Sequence, residues 1–166
     1  YEDFKQAYYA RKDLGGGVAL TLIHEIHMVI DLAGDPSEVA GMESVSELIP
    51  LEVDVISDIM VRHKSGCVSQ IHLDYIQKPP HRSGLISFER GWISYDYNKH
   101  RVIAQKTGDD IPVIIWSDNE YDANDMYIDE IKEFIKYVKE HRLKNSFDIE
   151  SAIESLKIVD SLFESH

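Results

Sequence analysis

The hydrophobic period of this chain changes twice along its length, and those two changes limit the fold more than any other feature. From Val18 to Ala33 the segment is apolar on almost every side. It opens after Gly15-Gly16-Gly17 and closes at Gly34, a natural helix stop, so it reads as a helix of about four turns. From Glu38 to Trp116 the period is two. VDVISDIMVRH, CVSQIHLDYIQ, SGLISFER, GWISYDY and PVIIW are rich in β-branched and aromatic residues and read as strands. Lys64-Ser65-Gly66, Glu89-Arg90-Gly91 and Asn98-Lys99 supply the turns of an antiparallel meander. Helical spacing then returns. Tyr127, Ile128, Ile131, Phe134, Ile135 and Val138 line one face behind an Asn124 or Asp125 cap, and Ile149, Ala152, Ile153, Leu156, Val159 and Phe163 repeat the pattern behind Asp148. A helix, five or more strands and two further helices make an α+β fold: a mostly antiparallel open sheet with helices on one face. No internal repeat or low-complexity linker interrupts it, so residues 1–166 read as one domain.

Composition narrows the function. Thirty acidic side chains against 17 basic ones give a net charge of −13, which repels phosphate backbones and anionic membranes. The longest apolar run, Val18 to Leu32, contains Thr21, His24, Glu25, His27 and Asp31 and is too polar for a lipid-spanning helix. Neither nucleic acid nor membrane is an expected partner. The single cysteine, Cys67, and the lack of a CxxC fit a reducing compartment, and the cytoplasm is the expected location. The chain starts at Tyr1 rather than Met, and its opening YEDFKQAYYARKD lacks the pattern of a secretion signal. The expectation is a piece of a longer protein, whose activity needs parts beyond these residues.

The chemistry concentrates in GGGVALTLIHEIH, Gly15 to His27. Thr21, His24, Glu25 and Asp31 fall near one line on the helix, and a polar stripe on a buried helix faces a cleft or a hydrogen-bonding partner. Three readings of His24 are open. It is a core histidine bonded to a carbonyl, a proton shuttle at a substrate cleft, or half of a metal site with His27, completed by His63 or His72. HEIH lacks the i, i+4 spacing of HExxH, which argues against metal. GGGVAL also fails as a dinucleotide fingerprint: Leu20 stands where a third glycine belongs, and no strand precedes it. Gln77-Lys78-Pro79-Pro80-His81-Arg82 is a stiff basic loop, either a ligand-holding segment or a plain strand connection.

Taken in order, YYARKDLGGGVALTLIHEIHMVIDLAGDP, LDYIQKPPHRSGLISFERGWISYDY and MYIDEIKEFIKYV followed by SFDIESAIESLKIVDSLFES resemble the C-terminal domain of the Gfo/Idh/MocA oxidoreductases. The family has a GGG opening a helix that carries a histidine, often as HEID, a QRPP-like loop and an EKG turn. The resemblance implies a dihydrodipicolinate-reductase-like C-terminal domain with its N-terminal Rossmann domain outside this chain. It also implies NAD or NADP in the full-length protein, with none bound by this domain alone, and a sugar, polyol or nucleotide-sugar substrate. His24 is the position matching the catalytic acid/base. Thr21, Arg11, Lys12 and Arg82 are the expected substrate contacts, and no metal is expected. A homo-oligomer built through the sheet face is implied as well. Many members carry an aspartate three or four residues ahead of the histidine; here those positions are Thr21 and Leu20, and His27 replaces the aspartate of HEID. The alternative implied by that departure is a catalytically degenerate member that serves as a ligand-binding or subunit-assembly module.

Overall fold

The computed structural model describes residues 4–45, 49–141 and 149–163. Short 3-10 turns over Phe4–Gln6, Tyr8–Ala10 and Lys12–Leu14 lead to helices α1 (Val18–Thr21) and α2 (Ile23–Ala33). Strands β1 (Pro36–Ser44), β2 (Ile56–His63), β3 (Val68–Asp74), β4 (Ser83–Phe88), β5 (Gly91–Asp96), β6 (Arg101–Lys106) and β7 (Val113–Ser117) follow, and helices α3 (Ala123–Lys139) and α4 (Ile149–Phe163) close the order. The class is α+β, as the alternating periods require. The strands divide between two antiparallel sheets, β1-β2-β3 and β4-β5-β6-β7. Each sheet belongs to a separate compact unit: the first lies within residues 1–76 and 144–166, the second within 77–143.

In the first unit the period-two pattern of β2 sets the layering. Ser57, Ile59, Val61 and His63 point inward and are buried, whereas Asp58, Met60 and Arg62 point outward. Val18, Ala19, Ile26 and Ile30 from α1 and α2 meet Ile59, Val61, Ile71 and Leu73 from the sheet, and Ile158, Val159 and Leu162 of α4 complete the core. Two histidines tie this layer together. The His63 ring sits between the Gly34 carbonyl and the Ser69 hydroxyl. A carbonyl can only accept, so Nδ1 carries the proton and Nε2 accepts from Ser69. His27 Nε2 lies 2.8 Å from Ser151 Oγ and joins α2 to α4.

In the second unit β4 to β7 form a meander with Glu89-Arg90-Gly91 and the 3-10 turn Tyr97–Lys99 as connections. The turns expected at Lys64-Ser65-Gly66, Glu89-Arg90-Gly91 and Asn98-Lys99 are all present, with Gly66 and Gly91 at positive φ.

Several expectations need correction. The first helix is not continuous: it breaks at Leu22 (φ −102°, ψ 25°). The sequence reading omits β1 and β6. The α3 cap is Asp122, whose Oδ1 accepts from Asn124 N at 2.8 Å, rather than Asn124 or Asp125. The apolar face of α3 does not enter a core, because Tyr127, Ile131, Phe134 and Val138 are all exposed. In α4, Ile149, Ile153 and Leu156 are exposed, whereas Ser155, Ile158, Val159 and Leu162 are buried. Asp148 lies outside the described residues, as does the side chain of Phe163.

Candidate functional site

The three glycines form a tight turn whose amides are all used internally. Gly15 N, Gly16 N and Gly17 N donate to the carbonyls of Lys12, Arg11 and Tyr9, and Val18 N donates to Asp54 O at 3.0 Å. Ala19 N donates to Asp54 Oδ2 at 3.0 Å, so Asp54 caps α1 from 35 residues away. Two of the glycines are required by crowding. A Cβ on Gly16 would stand 2.7 Å from three backbone carbonyl oxygens, and one on Gly17 (φ +124°) would stand 2.1 Å from Asp54 Oδ1. With every amide from Gly15 to Ala19 occupied, this turn offers no donor to a pyrophosphate.

Beside the turn, the Tyr75 hydroxyl donates to Gly17 O at 2.9 Å. Burial pushes the Tyr75 phenol up to about 12, helped by the nearby charge of Asp54. Thr21 Oγ1 is enclosed next to that phenol without a well-formed hydrogen bond. On the other side of Asp54, Glu43 has its Oε1 shielded from solvent and unpartnered among the described residues. Burial, and then the charge of Asp54, push its carboxyl up to about 7. Lys12, Gly16, Leu20, Glu43 and Asp54 line a cleft of about 480 Å³ here. Lys12 also borders a neighbouring cleft of about 620 Å³, together with Lys5, Arg11 and Asp13.

His24 is exposed in the first turn of α2, just past the break at Leu22. No described side chain hydrogen-bonds to its ring, and it lines neither of these two clefts. Its environment is not that of a core histidine. Arg11 is ion-paired to Asp13 with Nη2–Oδ2 at 2.5 Å, and Lys12 is exposed. Arg82 belongs to the second unit. Its guanidinium carbon stands 4.6 Å from the centre of the Tyr97 ring, and its amide donates to Asn98 Oδ1 at 2.8 Å. Asn98 Nδ2 also donates to Pro80 O at 3.0 Å, so one asparagine pins the Lys78–Arg82 loop. Among the described residues no three His, Cys, Asp or Glu side chains gather as metal ligands. His63 is held by Gly34 and Ser69, and His72 is clamped between Asp58 (2.7 Å) and Asp74 (3.4 Å). Sequence reasoning misses Asp54, Glu43 and Tyr75. Asp54 and Tyr75 act through partners remote in sequence, Glu43 is set by its burial beside Asp54, and nothing local marks these roles.

A model of the GFO/IDH/MocA C-terminal domain matches residues 1–94 of this chain. The chain belongs to the Gfo/Idh/MocA family. No curated protein matches it. Solved structures with the same fold include a levoglucosan dehydrogenase in complex with NADH and levoglucosan (18% identity, TM-score 0.79, 96% of this chain and 52% of that one). Another is an aldose-aldose oxidoreductase from Caulobacter crescentus complexed with glycerol (16% identity, TM-score 0.76, 96% and 48%). A third is a UDP-N-acetylglucosamine 3-dehydrogenase from Acidithiobacillus ferrooxidans (15% identity, TM-score 0.69, 89% and 45%). The family member described here therefore spans about half the length of these relatives, and at such identities the likeness is one of fold.

Proposed function

We propose that this chain is the substrate-binding and oligomerisation domain of a cytoplasmic NAD(P)-dependent oxidoreductase acting on a sugar, polyol or nucleotide sugar, with His24 as the proton acid/base. The cofactor belongs, on this reading, to an N-terminal Rossmann domain outside the chain; the part played by these residues is the proton. Family membership and the sugar and nucleotide-sugar dehydrogenases among its structural relatives support the substrate class.

The observation that carries the reading is the placement of His24. Its imidazole stands exposed on a packed helix, held by no described side chain, and can turn toward a substrate hydroxyl. Oxidation of an alcohol to a carbonyl releases the hydroxyl proton, and a neutral imidazole accepts it; the reverse reaction returns it. Thr21, three residues earlier and across the break at Leu22, has its hydroxyl enclosed, so the imidazole acts without it. Lys12, which borders both clefts, and Arg11 supply cationic donors for hydroxyls or a sugar phosphate. In the full-length enzyme at saturating cofactor, His24→Ala is expected to lower turnover by about 10²–10⁴-fold. A loss under about tenfold contradicts proton transfer by this residue.

One observation favours a second reading. No described carboxylate contacts His24, so no described counter-charge stabilises an imidazolium there. A degenerate member that binds a ligand or assembles subunits fits that arrangement. Assay of the intact protein across sugars and nucleotide sugars separates the two: bound ligand without turnover supports the module.

A further inference from the structure

The second unit carries a cationic pocket that the proposed chemistry does not use. Strand register puts Ser83, Asp96 and Arg101 directly opposite one another on three neighbouring strands, with Ser94 one row further along the same face. Together with His81 and Lys99 these residues line a hollow of about 280 Å³. The carboxylate that register sets against Arg101 is already taken. Asp96 Oδ2 is 2.8 Å from Lys99 Nζ, and its Oδ1 accepts from Lys99 N at 3.1 Å. Lys99, with a further contribution from the charge of His81, holds the Asp96 carboxyl below the usual range. Arg101 is half-buried and forms no ion pair or side-chain hydrogen bond with any described residue.

A partly desolvated guanidinium without a counter-charge is unfavourable, and the chain as a whole is strongly acidic, so a local excess of cations is not a product of composition. A planar fork of N–H donors flanked by two hydroxyls and an imidazole matches the oxygens of a tetrahedral anion. The hollow lies just under the range of about 300–1,000 Å³ for sites of drug-sized ligands, which suits a small group. We infer that Arg101, Ser83, Ser94 and His81 form a binding site for a phosphoryl group, either free phosphate or the phosphate of a monoester.

The test is calorimetric titration of the full-length protein with inorganic phosphate and, separately, with glycerol 3-phosphate, both at ionic strength held constant with sodium chloride. Saturable binding is expected. It should weaken at least tenfold in Arg101→Gln and stay within about twofold in Lys106→Gln, which removes the same charge from the far end of β6. Tighter binding of the ester assigns the site to a phosphorylated metabolite, and equal binding assigns it to free phosphate; both support the inference. Should Arg101→Gln fail to fold, the exposed His81→Gln variant decides, with a loss of at least threefold expected. Non-saturable heats, or affinity unchanged in the folded Arg101→Gln variant or in the deciding His81→Gln variant, overturn it.

Discussion

Gly17 and Asp54 fit each other so closely that no side chain has room at residue 17. Gly17→Ala puts a methyl group where Asp54 Oδ1 stands and asks an L-residue to adopt φ +124°. Backbone strain of about 1–3 kcal/mol adds to a lost helix cap of about 0.5–2 kcal/mol, and a fall of that combined order in unfolding free energy by urea titration is the expected outcome. Asp54→Ala should cost only the cap, about 1 kcal/mol. Glu43 gives a pH signature. Its carboxyl rises from an ordinary 4.5 to about 7 in the folded chain, so the native state holds the proton more tightly than the unfolded one. Its contribution is fully present below pH 4.5 and is lost as pH rises through 7. Urea midpoints should therefore diverge in favour of Glu43→Gln across that window, and a difference independent of pH contradicts the assignment. At this scale the sequence makes the glycines legible as a bend and His24 as a helical imidazole. It leaves the cap invisible, because Asp54 stands 35 residues beyond the amide it caps.

At the level of elements, the legible features carry local chemistry. Gly66 and Gly91 adopt positive φ in turns that the sequence marks, and β2 alternates cleanly because one face is buried against helices. Less legible is β1: PSEVAGMES has Pro, Gly, Ser and Glu where strands favour branched side chains, and its pairing with β2 overrides that composition. The break at Leu22 is equally hidden, since VALTLIHE runs on without a proline or glycine at that point. The consequence is functional. The break interrupts the helical phase between Thr21 and His24, so the threonine hydroxyl is enclosed while the imidazole is exposed. His63 links elements in the opposite sense, by full burial. His63→Leu should leave the Gly34 carbonyl and the Ser69 hydroxyl without their partner and cost about 1–3 kcal/mol in the same titration. A neutral result contradicts the link.

For the whole molecule, the amphipathic pattern of α3 and the branched residues of β7 are read correctly as apolar but not as exposed. Phe134, Val138, Ile114 and Trp116 all present their side chains to solvent. Exposed apolar faces of this kind mark surfaces suited to contact with a partner. On the proposed reading the full-length protein is a homo-oligomer through a sheet face. Light scattering should return a mass at least twice that of one chain, and a monomer counts against the assembly. The deepest claim is narrower: one imidazole moves the proton. It is tested most directly by the pH dependence of kcat/KM for the full-length enzyme beside its His24→Gln variant, both with saturating cofactor. The account predicts an acid limb in the parent that disappears in the variant along with most of the activity. An identical limb in both proteins, with little loss of rate, contradicts it.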